Sequence, residues 1–198
     1  MRRGLAKQHI RVIAVDDGAF TRRSRTAPLV AVVVSLPDRV EGVHVGRVTV
    51  DGSDATDRML ALLAGSPHLP GARALLLDGI SYGGFNLVDL SRLNRELRIP
   101  VVAVTRRAPD YDAIRFALAK YFPGELRRRY RLVRAQRLFQ VRTPGAPILA
   151  ACVGATQEEV RRLLAKASIV GYWPEPLRLA HLIARAIGTS ASRQGSQR

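Results

Sequence analysis

Three aspartates stand directly after apolar runs of the chain: Asp16, Asp51 and Asp78. Each run is rich in aliphatic residues and predicts a strand, and neighbouring strands of one sheet bring distant residues to a shared edge. Carboxylate oxygens are the ligands that Mg²⁺ and similar hard cations prefer. The pattern therefore predicts a divalent-metal site, and a metal ion held by carboxylates is suited to phosphodiester hydrolysis.

The run before Asp78 is apolar throughout and predicts a strand buried on both faces. A carboxylate at its end needs a cation, a hydrogen-bond network or a raised pKa. The alternative is that Asp78-Gly79 only starts a loop, which is a common use of this pair. Asp16 and Asp17 point to opposite faces of their strand, so at most one joins Asp78, and we choose Asp16.

The segment after the third strand offers three more carboxylates. Asp51 precedes a glycine and can form a turn, while Asp54 can cap the following helix with Asp57 in its first turn. We expect Asp51, Asp54 or both to be metal ligands, with Asp57 as a further alternative. The last helix carries His181, which is either a structural residue or a proton carrier beside a metal-bound water.

The composition favours a polyanionic partner. The 198 residues include 32 Lys and Arg against 16 Asp and Glu, for a net charge of +16 and a pI near 11.4. Nucleic acid is the commonest partner of so basic a surface. All but three of these basic residues are arginines, which suit phosphate contacts but also follow genome base composition.

The remaining composition predicts an intracellular, cytoplasmic protein. No apolar stretch approaches the roughly 20 residues of a membrane span, and the first residues lack the apolar core of a signal peptide. Cys152 is the only cysteine and lies in an apolar run, so we expect it in the core. The chain length fits one domain, expected over residues 1–187.

Periodicity predicts an α/β fold with three successive strands, a helix, and then βαβ order. The strands are expected near residues 12–16, 29–36, 43–51, 74–77 and 101–104. Asn86 is the expected cap of the helix that contains Leu90 and Leu93, with Asp89 completing a capping box. A hairpin is expected around Thr143-Pro144-Gly145, and residues 188–198 are expected to form a disordered basic tail.

Four motifs in this order resemble the archaeal endonuclease dU family. They are VDDG at residues 15–18, GRVTVDGSDAT at 46–56, LDGISYGGFN at 77–86 and PEPLRLAH at 174–181. The resemblance covers roughly residues 11–187. That family is similar to endonuclease V, an RNase H-like repair nuclease that uses Mg²⁺ to cut DNA beside a deaminated base.

The resemblance implies a fold and a set of roles. It implies an RNase H-like mixed sheet of three antiparallel strands followed by parallel strands, flanked by helices. Asp16 and Asp78 correspond to metal-binding aspartates, and the stretch ending at His181 corresponds to one that carries a polar residue near the metal. Endonuclease V places a glutamate where this chain has Asp51, Asp54 or Asp57, and its aromatic wedge has no counterpart in residues 50–53.

The sequence thus predicts an Mg²⁺- or Mn²⁺-dependent endonuclease acting on DNA with deaminated bases, uracil or hypoxanthine, in DNA repair. The expected nucleic-acid contacts are two aromatic residues and three arginines: Tyr82, Phe85, Arg106, Arg107 and Arg178. The alternatives are a non-catalytic nucleic-acid-binding protein of the same fold and an RNA-directed nuclease. The expected partner includes damaged and single-stranded DNA, and the sequence gives no indication of the oligomeric state.

Overall fold

A seven-stranded mixed sheet forms the centre of the computed structural model, which describes residues 10–21, 23–169 and 171–195. Nine strands occur in this part of the chain: β1 (Arg11–Asp17), β2 (Thr26–Ser35), β3 (Arg39–Thr49), β4 (Ala74–Asp78), β5 (Ser81–Tyr82), β6 (Asn86–Leu87), β7 (Val101–Thr105), β8 (Phe139–Val141) and β9 (Ile148–Val153). The large sheet has the order β3-β2-β1-β4-β7-β9-β8, and β5 and β6 form a separate hairpin.

The strand directions confirm the predicted order. Strands β1, β2 and β3 pair antiparallel, and β4 and β7 then add in parallel to β1. The predicted hairpin is confirmed by antiparallel pairing of β8 with β9, and β9 also pairs antiparallel with β7. The carboxyl ends of β1, β4 and β7 therefore meet at one edge of the sheet.

Helices cover both faces of the sheet: α1 (Ala55–Ala64), α2 (Leu90–Leu97), α3 (Tyr111–Tyr121), α4 (Leu126–Arg134), α5 (Gln157–Ala167) and α6 (Glu175–Gly195). One core cluster packs α1, α2 and α4 against alternate strand residues such as Ile13 and Val15. The other packs α5 and α6 against the intervening residues, such as Val12 and Ala14. This two-sided burial explains why the central strands read as unbroken apolar runs.

Helix α2 begins later than the sequence predicts. Its N-cap is Asp89, whose side chain accepts a hydrogen bond from the backbone N–H of Arg92, whereas Asn86 lies in β6. The prediction of an Asn86 cap is wrong because the short β5–β6 hairpin takes up the residues before the helix. Asn86 instead accepts a hydrogen bond from the backbone N–H of Ala55, at the start of α1.

Helix α6 crosses β1 and β2 at very close range. A Cβ atom on Gly18, just after β1, would lie 2.2 Å from the carbonyl oxygen of Ala184. A Cβ atom on Gly188 would likewise lie 2.6 Å from the carbonyl oxygen of Ala19. Two glycines therefore allow the helix backbone to contact the chain that follows β1.

The carboxyl end of the chain differs from the predicted tail. Helix α6 continues to Gly195, through residues 188–195 that we expected to be disordered, and residues 196–198 lie outside the described part. The helix persists because no proline interrupts it and Gly188 packs against the backbone of Ala19. Among the described residues, no helix combines the length and apolarity required to cross a bilayer.

Candidate metal centre

Strand register places two aspartates side by side at the edge of the sheet. Val15 of β1 pairs with Leu77 of β4, so Asp16 and Asp78 follow at equivalent positions of parallel neighbours. Side chains alternate along a strand, and Ala14 and Leu76 both face α6. Asp16 and Asp78 are two residues further on, and so they share the α6 side of the sheet.

Helix α6 adds a histidine to this pair. His181 lies in the second turn of the helix, and its Nδ1 is 2.8 Å from a carboxylate oxygen of Asp16. Ligand atoms of Asp16, Asp78 and His181 all lie within 4.8 Å of one another. In the described part of the chain this is the one group of three or more His, Cys, Asp or Glu residues with metal-binding spacing. We call it the metal centre.

The electrostatics of the metal centre favour a bound cation. Burial, and then the charge of Asp78, raise the pKa of Asp16 to about 7, although the hydrogen bond from His181 opposes the shift. Burial also raises the pKa of Asp78, against the lowering effect of Arg106 and His181. Two crowded carboxylates with few donors fit a divalent cation, because the cation adds opposite charge to the small amount that Arg106 and His181 supply.

Asp17 serves a different purpose from its neighbour. Its carboxylate accepts a hydrogen bond of 2.8 Å from the backbone N–H of Gly83, in the β5–β6 turn. Burial raises the pKa of Asp17, and the bond from Gly83 offsets part of that rise. The choice of Asp16 over Asp17 therefore agrees with the alternation of β1, and Asp17 anchors the loop beyond β4.

Asp51 and Asp54, which we expected to be metal ligands, lie outside the metal centre. The carboxylate of Asp54 accepts hydrogen bonds from the hydroxyl and backbone N–H of Thr49, from the amide of Asn86 and from Arg58. Burial alone would raise its pKa, but these donors outweigh burial and lower the pKa to about 2. Donors from the chain itself satisfy this carboxylate in place of a cation.

Asp51 is held by the β5–β6 turn. Its backbone has φ of 54°, its carboxylate accepts a bond of 2.8 Å from the N–H of Phe85, and its N–H donates to the carbonyl of Gly83. The remaining alternative, Asp57, forms an ion pair of 2.6 Å with Arg92. None of the three carboxylates joins Asp16 and Asp78 in the group with metal-binding spacing.

Two residues to which the sequence analysis gave no role at this site hold the region together. Asn86 is fully buried, and its amide bonds the carbonyl of Thr49 as well as Asp54. Arg129 of α4 is only 2% exposed and donates to the carbonyls of Phe85 and Asp51. We call Asp51, Asp54, Asn86 and Arg129 the loop junction. The sequence offered one signal for the burial of Arg129: it lies four residues before the apolar Val133, and therefore on the same face of the helix.

The predicted aromatic contacts differ in their exposure. Tyr82 is fully buried and its hydroxyl donates to the carbonyl of Val15, so its prediction as a stacking surface is wrong. Its ring fills the core beneath the β5–β6 hairpin. Phe85 is partly exposed and packs edge-on against Phe122, with ring centroids 5.8 Å apart.

The predicted arginine contacts are all exposed. Arg106 lies over the ring of Trp173, 4.4 Å from the ring centroid, and Arg107 follows it. Arg178 pairs with Glu175, one turn earlier on α6. Arg106 is the one whose charge acts on Asp78.

A cavity of about 400 Å³ opens directly beside Asp78. Its walls come from the loop after β4, the end of β7, and helices α3 and α4. The residues with polar side chains at its surface are Asp78, Ser81, Thr105, Arg107 and Gln136, and the aromatic one is Phe85. The metal centre and a space large enough for a small ring compound are therefore contiguous.

Comparisons with known proteins agree with this architecture. Solved structures include a protein of unknown function from Archaeoglobus fulgidus, 35% identical, with a TM-score of 0.79 over 90% of this chain and 98% of that one. Endonuclease V of Ciona intestinalis, solved with a 23mer DNA containing an inosine followed by a ribo-adenosine, matches at a TM-score of 0.63 and 15% identity. It covers 95% of this chain and 88% of that one, which confirms the RNase H-like fold.

Sequence relatives match over nearly the whole chain. The "UPF0215 protein" of Thermococcus gammatolerans is 40% identical over 190 residues, which span 94% of this chain and 96% of that protein. Its counterpart in Methanosarcina barkeri is 38% identical over 187 residues, or 94% and 95% of the two chains. Residues 8–188 match the protein family described as endonuclease dU. The chain therefore belongs to the endonuclease dU family.

Proposed function

We propose that this protein is a metal-dependent endonuclease that hydrolyses phosphodiester bonds in DNA beside deaminated bases, as a repair enzyme. The observation that carries the proposal is the convergence of Asp16, Asp78 and His181 within 4.8 Å of one another, next to a cavity at the same edge of the sheet. Family membership and the endonuclease V-like fold support a nuclease. The net charge of +16 supports a polyanionic substrate.

The residues of the metal centre have distinct roles in this proposal. Asp16 and Asp78 would hold Mg²⁺ or Mn²⁺, which supplies an activated water and offsets charge on the leaving oxygen. Asp16 also fixes the imidazole of His181 through the 2.8 Å contact with Nδ1. The half-exposed ring of His181 then carries a proton between the site and solvent.

The cavity beside Asp78 is the proposed site for the damaged base. Enzymes that act at one base turn it out of the stack and hold it in a pocket, and the 400 Å³ here accommodates a nucleobase. Phe85 offers an aromatic surface in the cavity wall, and the side-chain amide of Gln136 offers a donor and an acceptor. The imide edge of uracil presents the complementary pair, a carbonyl oxygen beside an N–H. Hypoxanthine presents the same pair, so uracil is the first proposed lesion because the family is described as endonuclease dU, and hypoxanthine is the second.

The test is cleavage by the purified protein of duplexes that contain uracil, hypoxanthine or only normal bases, with Mg²⁺ or Mn²⁺. We expect cutting beside the lesion, and Asp78→Asn should reduce it at least about a hundredfold, since loss of a metal ligand removes several kcal/mol of transition-state stabilisation. Asp57→Asn is the matched control, because Asp57 is exposed and lies outside the metal centre. It should cut like the unchanged protein.

The other outcomes separate the alternatives. Cutting that is undiminished by Asp78→Asn would overturn the metal-centre proposal. Salt-sensitive binding of these duplexes without any metal-dependent cutting would favour a non-catalytic nucleic-acid-binding protein. Preferential cutting of matched RNA strands would favour an RNA-directed nuclease, since that preference requires contacts to the 2′-hydroxyl.

A further inference from the structure

An aromatic and cationic surface lies beside the metal centre, formed by Arg106, Tyr172 and Trp173. The guanidinium carbon of Arg106 is 4.4 Å from the ring centroid of Trp173 and 6.0 Å from that of Tyr172. The two rings meet edge-on, with centroids 6.3 Å apart and planes at 73°. We call these three residues the Tyr172 shelf.

The shelf has a buried base and an exposed top. Trp173 is only 8% exposed and belongs to the core cluster beneath α6, whereas Tyr172 is 37% exposed. The loop between β8 and β9 supports the segment from behind, since a Cβ atom on Gly145 would lie 3.1 Å from the backbone nitrogen of Tyr172. The ring of Tyr172 is thus presented to solvent on a packed support.

The sheet places the Tyr172 shelf next to the metal centre, where the proposed cleavage takes place. Val104 of β7 pairs with Asp78, and Arg106 follows two residues later on the same strand end. The charge of Arg106 acts on Asp78, and Trp173 lies just before the helix that carries His181. A nucleic-acid strand bound with a phosphate at the metal centre therefore passes within reach of Tyr172.

The chemistry of the shelf suits a nucleotide with an unpaired base. A tyrosine ring stacks any base, and stacking of this kind contributes about 1–3 kcal/mol per base. Arginine combines a planar cation with phosphate binding. The chain as a whole carries a net charge of +16, which favours an anionic partner.

We propose that the Tyr172 shelf binds an unpaired nucleotide of the DNA strand adjacent to the scissile phosphate, with its base stacked on Tyr172 and its phosphate facing Arg106. This inference rests on the proposed DNA substrate and does not require that the protein cut it. The shelf is separate from the cavity beside Asp78, because neither Tyr172 nor Trp173 lines that cavity.

The experiment measures binding without chemistry. Fluorescently labelled single-stranded DNA, and an oligomer of the same length built of abasic nucleotides, are titrated with the full chain in EDTA and followed by anisotropy. Emission of Trp173, the one tryptophan of the chain, is the local reporter at the shelf. We expect a saturable change in this emission with the base-bearing strand. Tyr172→Ala should weaken binding of that strand about 5- to 150-fold, which is the stacking free energy converted to affinity.

Three controls make the outcome specific. Tyr172→Phe keeps the ring and should bind like the unchanged protein, as should Phe116→Ala, which removes a 71% exposed aromatic ring on α3. Tyr172→Ala should leave the affinity for the abasic oligomer unchanged. The proposal is overturned if Tyr172→Ala binds the base-bearing strand normally, if it loses the abasic oligomer equally, or if binding leaves Trp173 emission unaltered.

Failure of this inference is distinguishable from failure of the proposed function. Asp78→Asn should bind the base-bearing strand with the same dependence on Tyr172, because the assay contains no divalent ion. Normal stacking together with no cleavage would retain the shelf and remove the nuclease. Cleavage that depends on Asp78 together with no stacking would retain the nuclease and remove the shelf.

Discussion

The metal centre and the loop junction each gather aspartates at strand ends, but they treat the charges in opposite ways. Burial and the neighbouring Asp78 raise the pKa of Asp16 to about 7, whereas donors from Thr49, Asn86 and Arg58 overcome burial and lower that of Asp54 to about 2. The junction supplies its carboxylates with protein donors. The metal centre leaves its carboxylates with few donors, so an aspartate after a strand is a candidate metal ligand only where the fold provides few other partners.

Removing the central cation of the loop junction should have the largest effect on folding. Arg129→Met should lower the free energy of unfolding by about 3 kcal/mol, because the buried carbonyls of Phe85 and Asp51 lose their donor. Urea unfolding measures the change. The matched control is Arg128→Met, whose exposed side chain pairs with the same Glu125 and should change stability by less than about 0.5 kcal/mol. Equal losses in both variants would mean that α4 contributes only through its surface charge.

Neutralising Asp54 in the loop junction should lower the free energy of unfolding by an intermediate amount that depends on pH. Asp54→Asn should cost about 1–2 kcal/mol at pH 7, since the charged hydrogen bonds are lost. The folded pKa of about 2 lies below the ordinary aspartate value of 3.8, so this stabilisation is complete above pH 3.8 and is lost as the pH falls towards 2. Urea titrations at pH 7 and pH 3 should show the difference shrinking. Asp57→Asn, which removes an exposed carboxylate, should show no such trend.

An Asp→Asn substitution in the metal centre should change the free energy of unfolding by a small amount in the opposite direction. In metal-free protein at pH 8, Asp16→Asn should raise the free energy of unfolding by about 1 kcal/mol, because it removes a crowded buried charge. The folded pKa of about 7 lies above 3.8, so the stability that a protonated Asp16 contributes is complete below pH 3.8 and is lost as the pH rises through 7.

Thermal unfolding in EDTA at pH 8, and again with Mn²⁺, checks this prediction. Mn²⁺ should stabilise the unchanged protein and leave Asp16→Asn unaffected, so that the order of stability reverses. A loss of stability for Asp16→Asn in EDTA would contradict the view that this site is short of donors.

The sequence predicted those features that follow from periodicity. Alternation along β1 indicated that only one of Asp16 and Asp17 could join Asp78, and unbroken apolar runs predicted the buried parallel strands β4 and β7. The loop junction was not predictable in this way, because Asn86 and Arg129 reach Asp54 and Asp51 from 32 and 78 residues away. Local pattern carries no information about such partners. A buried arginine within a basic run also has the same composition as its exposed neighbours.

The burial of Tyr82 is a second feature that local sequence pattern did not predict. The sequence analysis assigned Tyr82 to a nucleic-acid contact, yet the segment folds as a hairpin, with positive φ angles at Gly83 and Gly84, and the ring lies in the core. Phe85, three residues later, has the exposure that the sequence suggested for both.

The position of His181 on the final helix has a consequence for synthesis in the cell. The ribosome releases the chain from its amino end, so the two aspartates emerge well before the imidazole that completes the group. An incomplete translation product that stops before α6 lacks both the third member of the group and the helix that covers this face of the sheet. A fragment of this kind would lack a complete metal centre, and its uncovered apolar face would expose it to degradation.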